Sequence, residues 1–261
     1  MKKKNKKKPY VSIITPNLNG DKFLEKTIKS VVSQTSNDYE YILVDGKSTD
    51  KSKEIINSYI NNIDIFISEK DKSMYHAIDK GIRKARGEVI IWINSDDLLD
   101  KNAVLNIARF FKKNPDIQWI SGINGYIKNN FKFSGIPYIY PRLFLKNGYA
   151  HHALWGFVQQ ESVSFRRKLY IDVGGFDYKY NNSCDYGLWR SFSRVTSLKS
   201  VFFKIGFFRS WPGQDSKLNR LLTYQSIGYK KIPFYSFRYI RNILSIIALP
   251  YIIIRTFFLI K

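Results

Sequence analysis

Two adjacent carboxylates, Asp96 and Asp97, stand just beyond an apolar run, Val89-Ile90-Ile91-Trp92-Ile93, that opens after Gly87-Glu88. The run shows no alternation, so it reads as a strand buried on both faces. In an open α/β sheet the C-terminal end of such a strand borders the ligand crevice. Paired acids there are costly to desolvate, and a hard divalent cation bridging phosphate oxygens is one way to neutralise them. The competing reading is a helix start, because Asp caps helices at strand-to-helix junctions. Three more polar clusters end apolar segments: Thr15-Pro16-Asn17-Leu18-Asn19, Asp45-Gly46-Lys47-Ser48-Thr49-Asp50 and Glu69-Lys70-Asp71. Parallel strands would deliver all four clusters to one edge, where they can converge on one ligand. No GxGxxG or GxxxxGK[ST] loop occurs, which argues against a dinucleotide redox cofactor and P-loop hydrolysis. A site rich in acids and poor in glycine needs a cation to hold a diphosphate.

The elements that must place these clusters alternate over about the first hundred residues. Strands are expected at Val11 to Thr15, Tyr41 to Val44, Ile63 to Ile67 and Glu88 to Asn94. Between them, helices are expected from about Asp21 (Leu24, Ile28, Val31 and Val32 on one face), after Thr49-Asp50 (Ile55, Ile56, Tyr59) and over Met74 to Ala85. Such alternation implies right-handed βαβ units and a parallel sheet. Beyond Asp97 the rhythm changes. A helix is expected at Ala103 to Phe111, a strand at Trp119 to Ile123, an irregular aromatic-rich segment at Ile136 to Gly156 and a strand at Ser162 to Phe165. A short helix, Leu169 to Val173, closes on Gly174-Gly175, and Tyr186 to Phe192 starts another.

Charge points to a surface partner. The 261 residues carry a formal net charge of +22, with six lysines in Lys2 to Lys8 and eight basic residues and no acid from Lys217 to Lys261. Residues 1–8 read as a disordered basic tail. Basic ends favour an anionic surface. They flank an apolar tail and not a groove-reading helix, so an anionic membrane surface is expected and nucleic acid is not. Ile243 to Ile260 holds one charge, Arg255, and one proline, Pro250. At about 27 Å as a helix it is marginal for a span and ample for lying in the interface, as a monotopic helix or re-entrant hairpin. Packing on the catalytic domain or on a second subunit is the soluble alternative, and the pattern sets no oligomeric state. A single cysteine, Cys184, excludes an intramolecular disulfide and fits a reducing compartment. No signal peptide is apparent at the N-terminus. His76, His151 and His152 are too scattered for a zinc site.

The ordered motifs together resemble glycosyltransferase family 2 of nonprocessive bacterial type. They are Thr15-Pro16 with Asn17 and Asn19, the Asp45-Gly46-x-Ser48-Thr49-Asp50 turn, the Ser68-Glu69-x-Asp71 to Gly81 segment, and Asn94-Ser95-Asp96-Asp97, in a match running from about Pro9 to Ser216. The resemblance implies an α/β GT-A (Rossmann-like) fold, a mostly parallel sheet flanked by helices, with a C-terminal helical membrane-associating tail. It divides the chain into a nucleotide-sugar-binding half, 9–110, an acceptor-binding half, 111–216, and the tail, 217–261.

By that resemblance Asp45 accepts a hydrogen bond from the uracil of a UDP-linked donor, with Thr15, Pro16, Asn17, Asn19 and Ser48 around base and ribose and Asp71 as a further base-side contact. Asp96 lies near the ribose, and Asp97, with Asp96, holds Mg2+ or Mn2+ on the diphosphate. Asn94 stands where a fuller DxD motif begins with an acid. Gly174-Gly175-Phe176-Asp177 followed by Asn182 to Trp189 resembles the acceptor-side motif and makes Asp185 the catalytic base, at the start of a helix whose positive end would keep it charged. Read without the family, the lesser alternative is that Asp185 merely caps that helix. Gln160-Glu161-Ser162 and Phe208 to Gln214 resemble acceptor-side or loop segments of the same family; Arg209 would neutralise the leaving diphosphate or be a solvated surface arginine, and Trp211 replaces a frequent histidine. The implied activity is inverting transfer of one sugar to a lipid-linked or cell-surface glycan acceptor at the cytoplasmic face of the membrane. A processive polymerase would carry a QxxRW-type motif, which is absent. The competing classes are a noncatalytic polyanion or sugar-nucleotide binder and a nucleotidyltransferase.

Overall fold

The computed structural model describes residues 8–151, 155–212, 214 and 236–260. The lysine block of residues 1–7, His152 and the basic stretch 217–235 lie outside the described residues. One sheet contains β1 Val11–Asn17, β2 Tyr39–Asp45, β3 Ile65–Ser68, β4 Val89–Trp92, β5 Leu98–Leu99, β6 Trp119–Lys128, β7 Phe131–Ser134, β8 Val163–Arg166 and β9 Lys199–Arg209. The helices are α1 Asp21–Val32, α2 Ser52–Ser58, α3 Met74–Lys84, α4 Ala103–Lys113, α5 Arg142–Lys146, α6 Arg167–Asp172, α7 Cys184–Val195 and α8 Ser236–Ile260.

The strand order is β3-β2-β1-β4-β8-β6-β9-β5, with β7 paired to β6. Parallel pairing joins β3, β2, β1 and β4, and again β6 and β9. The β4–β8, β8–β6, β6–β7 and β5–β9 pairs are antiparallel. The expected mostly parallel, Rossmann-like GT-A sheet is therefore corrected to a mixed α/β sheet with one C-terminal apolar helix. Parallel neighbours need a crossover helix, and the strand-helix alternation that supplies them stops at Asp97. Beyond that point β8 returns beside β4 in the opposite direction.

Two other features escaped the sequence reading. Strand β9 was not anticipated, although Val201, Phe203, Ile205 and Phe207 alternate and are buried, the period-two signature of a strand. Strand β6 runs five residues past its expected end because Asn129 and Asn130, both at positive φ (49° and 67°), turn the chain into β7. Two consecutive left-handed residues make the hairpin turn whose twist suits antiparallel strands, and Asn tolerates that conformation.

The core fills both faces of the sheet. Ile14, Ile42, Ile90 and Trp92 pack with α3 and α7 on one face, while Ile13, Leu43, Val89 and Ile91 pack with α1 and α4 on the other. This accounts for the absence of alternation in Val89 to Ile93: each side of the strand meets a helix layer. Helix α3 approaches β1 so closely that a Cβ at Gly81 would lie 2.6 Å from Ile14 Cγ2. That contact fixes how near the N-terminal end of α3, with Tyr75, comes to the strand ends.

Helix α8 is longer than the apolar stretch read from the sequence and carries Pro250 inside it. It rests on the domain along one face. Ser245, Ile252 and Thr256 are buried, Ser245 Oγ accepts from the Ile139 amide (3.2 Å), and Thr256 Oγ1 accepts from the Phe202 amide of β9 (2.9 Å). Its other face exposes Ile243, Ile246, Ile247, Tyr251, Phe257 and Phe258. Tyr239–Phe258 is long and apolar enough to cross a membrane, and only 22% of its most apolar part is buried against the protein.

Candidate active site

The C-terminal ends of β1, β2 and β4 sit side by side because their register is parallel and Asn17 lies opposite Asp45. They open on a cleft of about 1190 Å³. Pro16 to Gly20, Gly46 and Asp71 line one bank, Asn94 to Asp96 the floor, and Gln160, Glu161 and Asp185 the opposite side. Parts of clusters far apart in sequence therefore share one cavity, while Thr15, Asp45, Ser48, Asp97 and Arg209 lie behind its lining residues.

On the first bank most polar groups are paired, although the buried Asn17 Oδ1 has no hydrogen-bond partner among the described residues. Asp45 is 3% exposed. One of its carboxylate oxygens accepts from Asn17 Nδ2 (2.9 Å) and Ser48 Oγ (2.5 Å), the other from the Ser48 amide (3.1 Å) and Ser68 Oγ (3.3 Å). Asn19, at φ 51°, accepts from the Thr49 amide (2.8 Å), while its own amide donates to Ser48 Oγ (2.9 Å). The Asp45–Asp50 turn and the Asn17–Asn19 turn thus hold each other. Thr15 is buried below this rim, where Tyr41 Oη donates to its hydroxyl (3.2 Å). Asp71 lines the cleft and pairs with Lys80 at 2.6 Å.

The floor is built differently. Asp97 is 0% exposed; it accepts from the Arg209 amide (2.7 Å) and from Asn94 Nδ2 (3.2 Å). Burial, then the neighbouring Glu161 and Asp96 carboxylates, push its pKa well above the usual carboxylate range. Burial likewise raises the pKa of Glu161 to about 7. Both carboxyls are thereby shifted toward the protonated form. Asp96 lines the cleft with its carboxylate receiving Trp211 Nε1 at 2.8 Å, and burial raises it too. Arg209 is not a solvated surface residue: it is 5% exposed, its Nε donates to the Asp96 carbonyl (2.6 Å) and its guanidinium lies 4.6 Å from the Phe23 ring centre. It ties the end of β9 to the Asp96–Asp97 turn.

Among the described residues no three His, Cys, Asp or Glu side chains converge as a metal cage. A diphosphate-bound divalent ion needs no such cage, since one or two carboxylates with substrate phosphates and water complete its shell. Asp96, which lines the cleft, and the adjacent Asp97 are the carboxyls that could take that role. His76 stacks on Tyr178 and His151 is buried; neither joins the acids.

Asp185 opens α7 and lines the cleft. Tyr75 Oη donates to Asp185 Oδ1 at 3.0 Å. The sequence reading has the helix end keeping this carboxylate charged. In the structure burial raises its pKa, and the Tyr186 amide and Tyr75 hydroxyl offset that only in part. Beneath it Trp92, Trp189 and Trp119 stack in sequence at 5.6 Å spacings, a rigid base for the helix. Tyr75 and Glu161 were not chosen from sequence as site residues. Tyr75 reads there as one more apolar position of α3, and nothing local announces a partner 110 residues away.

The family model described as glycosyl transferase family 2 matches residues 12–174, more than half of the chain. The PGL/p-HBAD biosynthesis glycosyltransferase of Mycobacterium tuberculosis is 28% identical over 182 residues, covering 68% of this chain and 67% of that protein. The chondroitin synthase of Escherichia coli is 28% identical over 221 residues, 83% of this chain and 31% of that protein. Among solved structures, S. aureus TarS 1-349 in complex with UDP-GlcNAc superposes with a TM-score of 0.60 at 15% identity, covering 91% of this chain and 65% of that one. The mannosyltransferase PcManGT from Pyrobaculum calidifontis, in complex with GDP-Man and Mn2+, superposes with a TM-score of 0.57 at 17% identity, covering 97% and 74%. The chain therefore spans just under two thirds of the TarS fragment and shares its fold. With the model match covering most of the sheet and all four polar clusters at its strand ends, this chain belongs to glycosyl transferase family 2.

Proposed function

We propose that this glycosyltransferase moves one sugar from a nucleotide sugar, UDP-linked in the first instance, to a hydroxyl of a lipid-linked or cell-surface glycan acceptor, with inversion. The observation that carries this is the convergence of Pro16 to Gly20, Gly46, Asp96 and Asp185 on one cleft. The nucleoside lies along the paired bank, where Pro16, Asn17 and Asn19 present the β1 turn and Asp45, with Ser48, supplies the acid for the base. Thr15 supports that turn from below, and Asp71 bounds the base pocket. The UDP-GlcNAc and GDP-Man bound to the two structural relatives are donors of this class.

Asp185 takes the proton of the acceptor hydroxyl as its oxygen attacks the anomeric carbon. The bond to the diphosphate breaks with its electron pair, so the nucleoside diphosphate leaves and the configuration inverts. Asp97 and Asp96 would hold a Mg2+ or Mn2+ ion that supplies positive charge to the diphosphate when bound. Arg209 fixes the Asp96–Asp97 turn from behind. The exposed face of α8 and the basic C-terminal stretch set the enzyme on the cytoplasmic face of the cell membrane as a peripheral or monotopic protein.

The test is Asp97→Asn and Asp185→Asn, each followed by thermal shift with UDP-GlcNAc and GDP-mannose plus Mn2+, and by product formation. The reading predicts that the first loses Mn2+-dependent donor stabilisation and that the second keeps it but loses turnover. If both variants behave as the parent, the acids are caps and the activity is wrongly assigned.

A further inference from the structure

Helix α8 is not alone in offering apolar groups to solvent; the β6–β7 hairpin does so with aromatic rings. Its register pairs Tyr126 with Phe133 and Lys128 with Phe131 across an antiparallel ladder, so these four side chains share one face. On that face Phe131 is 71% exposed, Phe133 54% and Tyr126 40%, with Lys128 exposed beside them. The opposite face is tied down: Ile127 is buried, and Lys132 Nζ lies 4.9 Å from the Phe207 ring centre. Aromatic rings gathered on one exposed face mark an interaction surface. This surface adjoins α8. Tyr126 and Tyr138 line the same cleft wall as Arg241, which reaches in from α8. The Arg241 guanidinium lies 3.9 Å from the Tyr138 ring centre, and its Nη1 donates to the Trp155 carbonyl (2.8 Å). Beside Arg241 the exposed side of α8 begins with Tyr239, Ile240 and Ile243. Both segments are free of acids: none occurs between Asp116 and Glu161, nor from Lys217 to Lys261.

We propose that the β6–β7 hairpin is a second membrane-contact element, which inserts Phe131 and Phe133 into the interface of an anionic bilayer beside α8 and sets Lys128 among the headgroups. This rests on the membrane part of the reading above and adds the contact that fixes the enzyme's tilt. A single helix lying in an interface leaves the protein free to roll about the helix axis. A second contact removes that freedom and holds the Tyr126–Tyr138 wall of the cleft at the surface. The chemistry of the face favours a bilayer over other occupants. A bound glycan calls for hydrogen-bonding groups beside the rings, and this face offers one phenol and one ammonium. A second copy of the chain would find the four residues of β7, where a stable interface takes about 20–30 residues a side. A bilayer interface asks for apolar rings with cations and no acids, which is what the face carries.

The full chain is floated with vesicles of phosphatidylcholine alone and of phosphatidylcholine with phosphatidylglycerol. Phe131→Trp, which keeps an aromatic ring, is measured on the same vesicles with brominated acyl chains; most of the emission it adds to that of the parent should be quenched. The double variant Phe131→Ser, Phe133→Ser should keep the parent Tm and bind both kinds of vesicle about tenfold or more weakly. Lys128→Gln should bind about fivefold more weakly to the anionic vesicles and unchanged to the neutral ones. If the parent floats with the vesicles while Phe131→Trp is not quenched, or while the double variant binds as the parent does, the role of the hairpin is overturned and α8 alone holds the membrane. If the parent does not float at all, the membrane reading falls and the hairpin's role with it. Emission of Phe131→Trp that responds to a soluble oligosaccharide and not to vesicles would assign the face to a glycan. A dimer in sedimentation that the double variant loses would assign it to a second copy; either result overturns the proposal.

Discussion

The two sides of the cleft solve opposite electrostatic problems. At the β1–β2 bank, the Asp45 carboxylate is buried but takes four hydrogen bonds from Asn17, Ser48 and Ser68. At the floor and far side, the buried Asp97 and Glu161 and the half-buried Asp185 have fewer donors and are all pushed toward the protonated form. A carboxylate that collects donors is rigid and stays where the fold puts it. On the proposed reading, a protonated Asp97 gives up its proton to a cation, and at Asp185 it is the ionised form that takes the acceptor proton. The proposal thus gives recognition to the first bank and reaction to the second.

The sharpest way to break that contrast is Asp185→Asn. The expected loss of transfer is about 10²- to 10⁴-fold, the usual contribution of a general base, with the nucleotide-sugar thermal shift unchanged; a loss of donor binding instead would make Asp185 part of the recognition bank. Next is Asp45→Ala, which strands the Asn17 and Ser48 donors. Donor affinity should fall by about tenfold or more while kcat at saturating donor falls less. Equal effects on both would erase the division of labour.

A smaller effect is expected from Tyr75→Phe. The hydroxyl favours the ionised Asp185, so its removal raises that pKa further. The base works only when ionised, so activity is lost as pH falls through its titration, and in Tyr75→Phe that loss should begin at higher pH. A pH-rate profile at saturating donor reads it; an unshifted acid limb would mean that Tyr75 only packs. The smallest change is Glu161→Gln, which removes one of two like-charged buried groups while keeping an acceptor for the Asp97 proton. At pH 8, where the pair is forced toward ionisation, the variant should be more stable by about 1 kcal/mol, a rise in Tm of about 2–4 °C, and should bind Mn2+ less well in the presence of donor. A drop in Tm would show that Glu161 is held by donors as Asp45 is.

Much of the first bank could be read directly. Thr15 to Asn19 and Asp45 to Asp50 are turn residues that end apolar runs, and such signals act within a few positions of the chain. Asp185 could be placed at a helix start for the same reason. The roles of Arg209 and Glu161 could not, because both depend on strands that cross the sheet: β9 carries Arg209 under the Asp96–Asp97 turn, and the turn before β8 carries Glu161 beside Asp97. Extending the parallel reading past Asp97 failed because pairing direction is a non-local property, set by which edge of the sheet is open when the strand arrives.

Taken alone, the order of residues determined the local pieces: the doubly buried β4, the helix faces that cover it, the polar turns at the strand ends and the apolar, cation-flanked C-terminus. These follow from periodicity and turn chemistry, which act over a few residues. The mixed sheet, the protonated Asp97–Glu161 couple, the Tyr75–Asp185 contact and the reach of Arg241 from α8 into the cleft were decided only by tertiary packing. Each depends on burial and on partners tens of residues away, and desolvation is a property of the assembled core, not of any segment of it.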